Sequence, residues 1–192
     1  MITKDREYRS FEFEVEEMKA TGNPVVFNVA EVMYEVGDIK YYEKVSPEAF
    51  SEARMDDVIL NVNHEGKPAA KTKNSTLKLE VRADGLYMEA DLSKNATGRE
   101  LHEDIKNGFF EKMSYAYTVA KESYDKKTRT RTIEKIDRLF DISAVTFPAY
   151  NTTSLEARSF FKVEAEKETA EAAKTELKRK KLNLILTIGG KS

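Results

Sequence analysis

The sequence contains no cysteine. Disulfides, thiolate catalysis and cysteine-ligated zinc or iron–sulfur centres are thereby excluded, and the absence fits a reducing compartment. Histidine is scarce too, with 2 among 192 residues, and neither HExxH nor another two-histidine zinc spacing occurs. No Walker or dinucleotide glycine pattern is present, which removes the phosphate-cradling classes. No apolar run is long enough to span a bilayer, and Met1 to Glu7 lacks the apolar stretch of a signal peptide. Neither sign of charge dominates: 32 basic residues face 34 acidic ones, for a net charge of -2. No global basic field argues for nucleic acid, and no acidic bias for cations. The expectation is a soluble cytoplasmic protein with no cofactor, no metal, and neither nucleic acid nor membrane as partner.

The apolar content of 40% over 192 residues suits one domain with some excess. Phe11, Phe13 and Val15 alternate with acids, which predicts a half-buried strand. Gly22-Asn23-Pro24 is read as a break before the extended run 24–29. Gly37-Asp38 marks a turn, and Ser46-Pro47-Glu48 predicts a short helix ending near Arg54. The run 58–62 is a short apolar strand leading into Asn63-His64. Asp84-Gly85 joins the clearest hairpin, Leu77 to Leu92. Thr97-Gly98-Arg99-Glu100 has capping-box spacing for a helix stopped by Gly108. Strands follow at 111–119, 128–136 and 140–147, the last ending at Pro148. Many short strands at hairpin spacing with two short helices predict a β-rich α+β fold. Its expected form is a closed antiparallel β-barrel with short peripheral helices.

From Ser159 the composition changes to Ala, Glu and Lys, with 8 basic and 5 acidic residues. Lys178-Arg179-Lys180-Lys181 then precedes an apolar, β-prone run, 182–188. The chain therefore divides into a barrel domain, 1–158, and a charged, basic-ended tail, 159–192. That tail is either an appendage that docks elsewhere or a helix folded onto the barrel.

The stretch Glu111 to Val119 holds the first candidate for chemistry. Met113, Tyr115, Tyr117 and Val119 share one face of a strand; Ser114, Ala116 and Thr118 share the other. Ser114 is a wall residue or a nucleophile. In the second case the small-residue face is the one expected to stay open for a substrate. His64 follows an apolar strand at a turn, where it is either a base held on a rigid sheet or a turn residue tied to backbone. His102 falls on the polar side of its helix and is expected to be exposed. A hydroxyl nucleophile requires a neutral imidazole to take its proton and an acceptor to fix that imidazole's tautomer. Asp141, an acid inside the apolar run 139–142, qualifies as the acceptor, since a carboxylate there is costly unless paired. The alternative for Asp141 is an acid at a strand end or on an exposed face.

Several segments, in order, resemble the prohead (capsid maturation) serine proteases of tailed bacteriophages. They are Gly22 to Asn28, Glu43 to Phe50, Val62-Asn63-His64-Glu65, the hairpin from Thr76 to Tyr87, Lys112 to Tyr117, and Asp141 to Tyr150. The resemblance spans roughly residues 8–158. It implies an assemblin-like barrel, similar to that of the herpesvirus proteases, and serine endopeptidase activity. On matching positions His64 takes the family's base, Ser114 its nucleophile, and Asp141 the place of a usual glutamate. Ala116 stands where many members have glycine, and Ser143 resembles a structural position. The implied substrates are scaffold, the scaffold-like part of the major capsid protein, and the protease itself. The implied location is the assembling procapsid in the host cytoplasm, with a homodimer left open. The alternative is the same barrel, catalytically inactive, acting as an assembly or scaffold factor.

Overall fold

The computed structural model describes residues 10–12, 14–146 and 155–189. In chain order the elements are β1 (Ser10–Glu12), β2 (Glu14–Glu16), β3 (Lys19–Val26), β4 (Glu31–Val36), β5 (Ile39–Val45), β6 (Ile59–Val62) and β7 (Glu65–Lys71). These are followed by β8 (Leu77–Val81), β9 (Gly85–Asp91), α1 (Ala96–Lys106), β10 (Lys112–Asp125), β11 (Thr130–Val145) and α2 (Leu155–Gly189).

The strands form two sheets, and neither closes on itself. One has seven strands in the order β1-β10-β11-β5-β4, with β6 on β11 and β7 on β6; the other is β2-β3-β9-β8. The expected closed antiparallel barrel is therefore wrong, while an α+β fold rich in strand holds. The physical reason lies in β11. It pairs antiparallel with β10 along its whole length, but parallel with β5 at one end and with β6 at the other. A strand that serves two successive parallel neighbours builds a mixed, branched sheet and not a meander of hairpins. The chain passes from one sheet to the other between Glu12 and Glu14, since β1 pairs with β10 and β2 with β3.

The larger of two apolar clusters among the described residues draws on both sheets. Ala20, Leu86, Met88 and Leu77 come from the smaller sheet, and Met113, Tyr115, Ile136 and Ile142 from the larger, with Leu101 and Ile105 of α1. The alternation read around Tyr115 is real: Met113, Tyr115 and Tyr117 are all fully buried, and the two tyrosine rings stack at 5.0 Å.

Several local expectations shift by a few residues, each for a physical reason. Gly22-Asn23-Pro24 does not end a strand. β3 runs through it with a register shift against β9, and the bulge accommodates a proline that has no N–H to pair. Ser46 to Arg54 is a run of turns with hydrogen bonds such as Ala49 N to the Ser46 carbonyl, 3.0 Å, and no helix forms. The Ser46 hydroxyl donates to Glu48 Oε2 at 2.5 Å and caps nothing. The cap of α1 is Asn95, whose side chain accepts from Gly98 N at 2.6 Å, two residues before the Thr97 expected for that role. Gly98 is buried there, where a Cβ would lie 2.5 Å from the Leu92 carbonyl, so only glycine lets the helix approach this closely. His102 is buried, at 7% exposure, because the apolar stripe of α1 widens to include the position four residues after Gly98.

The C-terminal region is one helix of 35 residues, about 50 Å long at 1.5 Å per residue. Its first turns dock: Phe161 and Ala165 are buried against Met33 and Tyr41, and Phe160 meets Tyr124 edge-on. Arg129 holds Glu168 at 2.9 Å. From Thr169 to Asn183 every residue is exposed. The β-prone run that begins at Leu182 is helical in backbone through Gly189. Pro148 and the end of its expected strand lie outside the described residues.

Candidate active site

β10 and β11 set the frame. In their antiparallel register Ser114 faces Ser143 and Ala116 faces Asp141. In the parallel register with β6, Ser143 lies opposite Asn61 and Asp141 opposite Ile59. Side chains of register partners point to one side of a sheet. Ser114, Ser143 and Asn61 therefore form a polar row across three strands, and Ala116, Asp141 and Ile59 form the row beside it.

His64 reaches this face from a hairpin. Val62 pairs with Glu65, which leaves Asn63 and His64 as the two loop residues, both at positive φ (48° and 61°). A two-residue loop of that kind matches the twist of its strands and turns back tightly. It brings the imidazole onto the strand next to its own: His64 Nδ1 lies 2.5 Å from Asp141 Oδ1. The Asp141 side chain is 5% exposed and that of His64 19%. With Asp141 accepting as a carboxylate, Nδ1 carries the shared proton, and Nε2 is then the nitrogen with base character.

Ser143 completes the cluster. Its hydroxyl donates to Asp141 Oδ1 at 3.0 Å and accepts from the backbone N–H of His64 at 3.1 Å. Asn63 N donates to the Ala144 carbonyl at 2.8 Å, so two successive amides of the loop are tied to β11.

The structure thus brings His64 and Asp141 into direct contact and puts Ser114 on the neighbouring strand of the same face, across from Ser143. One expectation fails here. The small face is not open: Ser114 is 3% exposed, and Ala116 and Ser143 are fully buried. Small side chains let neighbouring elements close over them, and the alternation read from sequence did not distinguish a small residue that is covered from one that is accessible. Asn61 and the second role of Ser143 were missed. The signal available for Ser143 was Asp141-x-Ser143, two polar residues on one face of an otherwise apolar strand. Among the described residues, no group of three or more His, Asp or Glu side chains is arranged to hold a metal ion, and no helix is long and apolar enough to cross a membrane.

A carboxylate-bound imidazole on the same sheet face as a serine is a constellation suited to hydroxyl-nucleophile hydrolysis. The sequence profile of the caudovirus prohead serine proteases matches residues 4–171. The chain belongs to that family, and its class is the serine proteases of phage head maturation. No curated protein matches the sequence. Among solved structures, the capsid assembly protease of bacteriophage T4 is similar at 10% identity and a TM-score of 0.44, covering 75% of this chain and 98% of that one.

Proposed function

We propose that this chain is an active serine endopeptidase that cleaves scaffold, or the scaffold-like part of the capsid protein, inside the procapsid, and also cleaves itself. Ser114 Oγ attacks the scissile carbonyl carbon and passes its proton to His64 Nε2. The resulting imidazolium is stabilised by Asp141 and then protonates the leaving amine as the C–N bond breaks. Water hydrolyses the Ser114 ester by the same route in reverse. The observation that carries this reading is the 2.5 Å bond between His64 Nδ1 and Asp141 Oδ1, made on the face that also bears Ser114.

Aspartate in place of the usual glutamate shortens the acid's reach by one methylene. The tight loop at Asn63-His64 supports the substitution, because it carries the imidazole to the strand and Asp141 need not reach out. Residues 159–192 serve as a targeting or self-cleaved segment, a role supported by the exposure of α2 from Thr169 to Asn183.

Coexpression of capsid protein with wild type and with Ser114→Ala tests the assignment. Processing is expected with wild type and absent with the variant; equal processing by both sinks the mechanism. A non-enzymatic assembly factor is the second reading, favoured by the 3% exposure of Ser114. Fluorophosphonate labelling at Ser114 in the wild type rules it out.

A further inference from the structure

His64 pays for its position with an unfavourable backbone. A non-glycine residue at φ 61° sits in the left-handed region, uncommon for any residue with a side chain although Asn, Asp and His are enriched there, so contacts from surrounding structure are what hold it. Two contacts do so. Asn63 N reaches the Ala144 carbonyl, and His64 N reaches the hydroxyl of Ser143. The same hydroxyl donates its single proton to Asp141 Oδ1, the oxygen that His64 Nδ1 also contacts. The three residues close a ring of hydrogen bonds: Ser143 Oγ to Asp141, Asp141 to the His64 imidazole, and the His64 backbone back to Ser143 Oγ. Ser143 is fully buried, so bulk water has no access to replace its hydroxyl.

We propose that Ser143 is a positioning residue of the active site, fixing the imidazole and carboxylate relative to one another without touching the reacting atoms. This rests on the assignment of His64 and Asp141 to catalysis. One hydroxyl performs two tasks: its lone pair holds the loop that presents His64, and its proton occupies one side of Oδ1 so that the carboxylate meets the imidazole in one orientation. A misplacement of about 1 Å in such a constellation costs about a hundredfold in rate. A serine that only filled space in the strand would be replaceable by alanine without that cost.

The test uses the full chain and compares wild type, Ser143→Ala, Ser143→Thr, Ser143→Cys and Ser114→Ala. Fluorophosphonate labelling rates, peptide mapping of the label and the His64 Nδ1 proton resonance are the readouts. Ser143→Ala is expected to slow labelling of Ser114 by about a hundredfold and to erase or shift the downfield proton resonance. Ser143→Thr, which keeps the hydroxyl, is expected to recover most of both. For peptide cleavage the loss should fall on kcat with KM little changed. Wild-type labelling by a folded Ser143→Ala overturns the proposal, as does a folded Ser143→Thr no faster than the alanine variant. If the alanine variant does not fold, Ser143→Cys replaces it, keeping a polar atom of weak donor strength; wild-type behaviour there also overturns the proposal. A wild type that never labels at Ser114, or a label found on Ser143, defeats the catalytic assignment itself. Normal labelling of Ser114 in both wild type and Ser143→Ala defeats only the positioning role.

Discussion

The two ends of the β10–β11 hairpin both bury polar groups, and they do so in opposite ways. At one end lie Ser114, Ser143, Asp141 and His64. At the other, Arg131 is 5% exposed and Glu43 1%. Arg131 Nη1 binds Glu43 Oε2 at 2.9 Å, its Nε binds Glu122 Oε2 at 2.8 Å, and its Nη2 also bonds Glu122. Tyr117 donates to the other Glu43 oxygen at 3.1 Å, and the guanidinium lies 5.0 Å from the centre of the Phe160 ring. This second cluster has more charge and more bonds than the first, yet it is the less suited to chemistry. Arginine does not release its proton in a protein, so the network cannot shuttle one; histidine exchanges its proton near neutrality. Burial of charge therefore does not mark the proposed active end. What distinguishes that end is a titratable base held by a tight loop against a carboxylate.

The sharpest way to break this comparison is at Asp141. Asp141→Asn retains shape but removes the charge that steadies an imidazolium and permits the wrong tautomer of His64. Proteolysis should fall by about 10²–10⁴-fold, measured as cleavage of capsid protein per folded molecule. A variant within a fewfold of wild type would place the active end elsewhere.

The matching change at the other end should harm the fold and spare the chemistry. Arg131→Met strands Glu43 in the core, and removing one partner of a buried pair costs about 3–5 kcal/mol. The double variant Arg131→Met with Glu43→Leu removes both charges and should recover much of that loss. Denaturant midpoints measure the two, and cleavage per folded molecule should change little in either. Cleavage per folded molecule that falls as far as it does in Asp141→Asn would erase the distinction between the ends.

The two ends were not equally legible in the sequence. Local pattern left Ser114 and His64 open between structural and catalytic readings, and it was the order of the family-like segments that joined them to Asp141, an acid costly among Leu139, Phe140 and Ile142. The Arg131 network was invisible, since Arg131 alternates in a charged strand and its partners lie 88 and 9 residues away. Strand existence was readable from alternation. Sheet order was not, because alternation says which face is buried and nothing about which neighbour pairs. The parallel contacts of β11 with β5 and β6 depend on loops whose length fixes no partner, and the barrel expectation failed on those contacts. The docking of α2 was one of two readings that the sequence left open. Its buried side rests on Phe160, Phe161, Glu164 and Ala165, too few positions to impose a period on a helix rich in Ala, Glu and Lys.

That docked helix gives the smallest test, and it separates the ends by pH. The Tyr124 hydroxyl is buried with no hydrogen-bond partner among the described residues. Burial, and after it the Glu168 carboxylate, Tyr41 and Glu164, push Tyr124 up to about 12 against Arg129, from an ordinary value of 10.0. Tyr41 is raised too, by burial first and then by Glu168. A phenol whose value is higher in the folded state binds its proton more tightly there. Its stabilising contribution is complete below about pH 10 and drains away as pH climbs towards 12, where the unfolded chain ionises first. Tyr124→Phe keeps the ring against Phe160 and removes the ionisation, so the alkaline fall in melting temperature should become shallower. Helix content and tyrosinate absorbance, followed together across that range, measure it. A Phe variant with an unchanged alkaline slope would show that Tyr124 does not control the α2 end, and that its pH response comes from Tyr41 or from elsewhere in the chain.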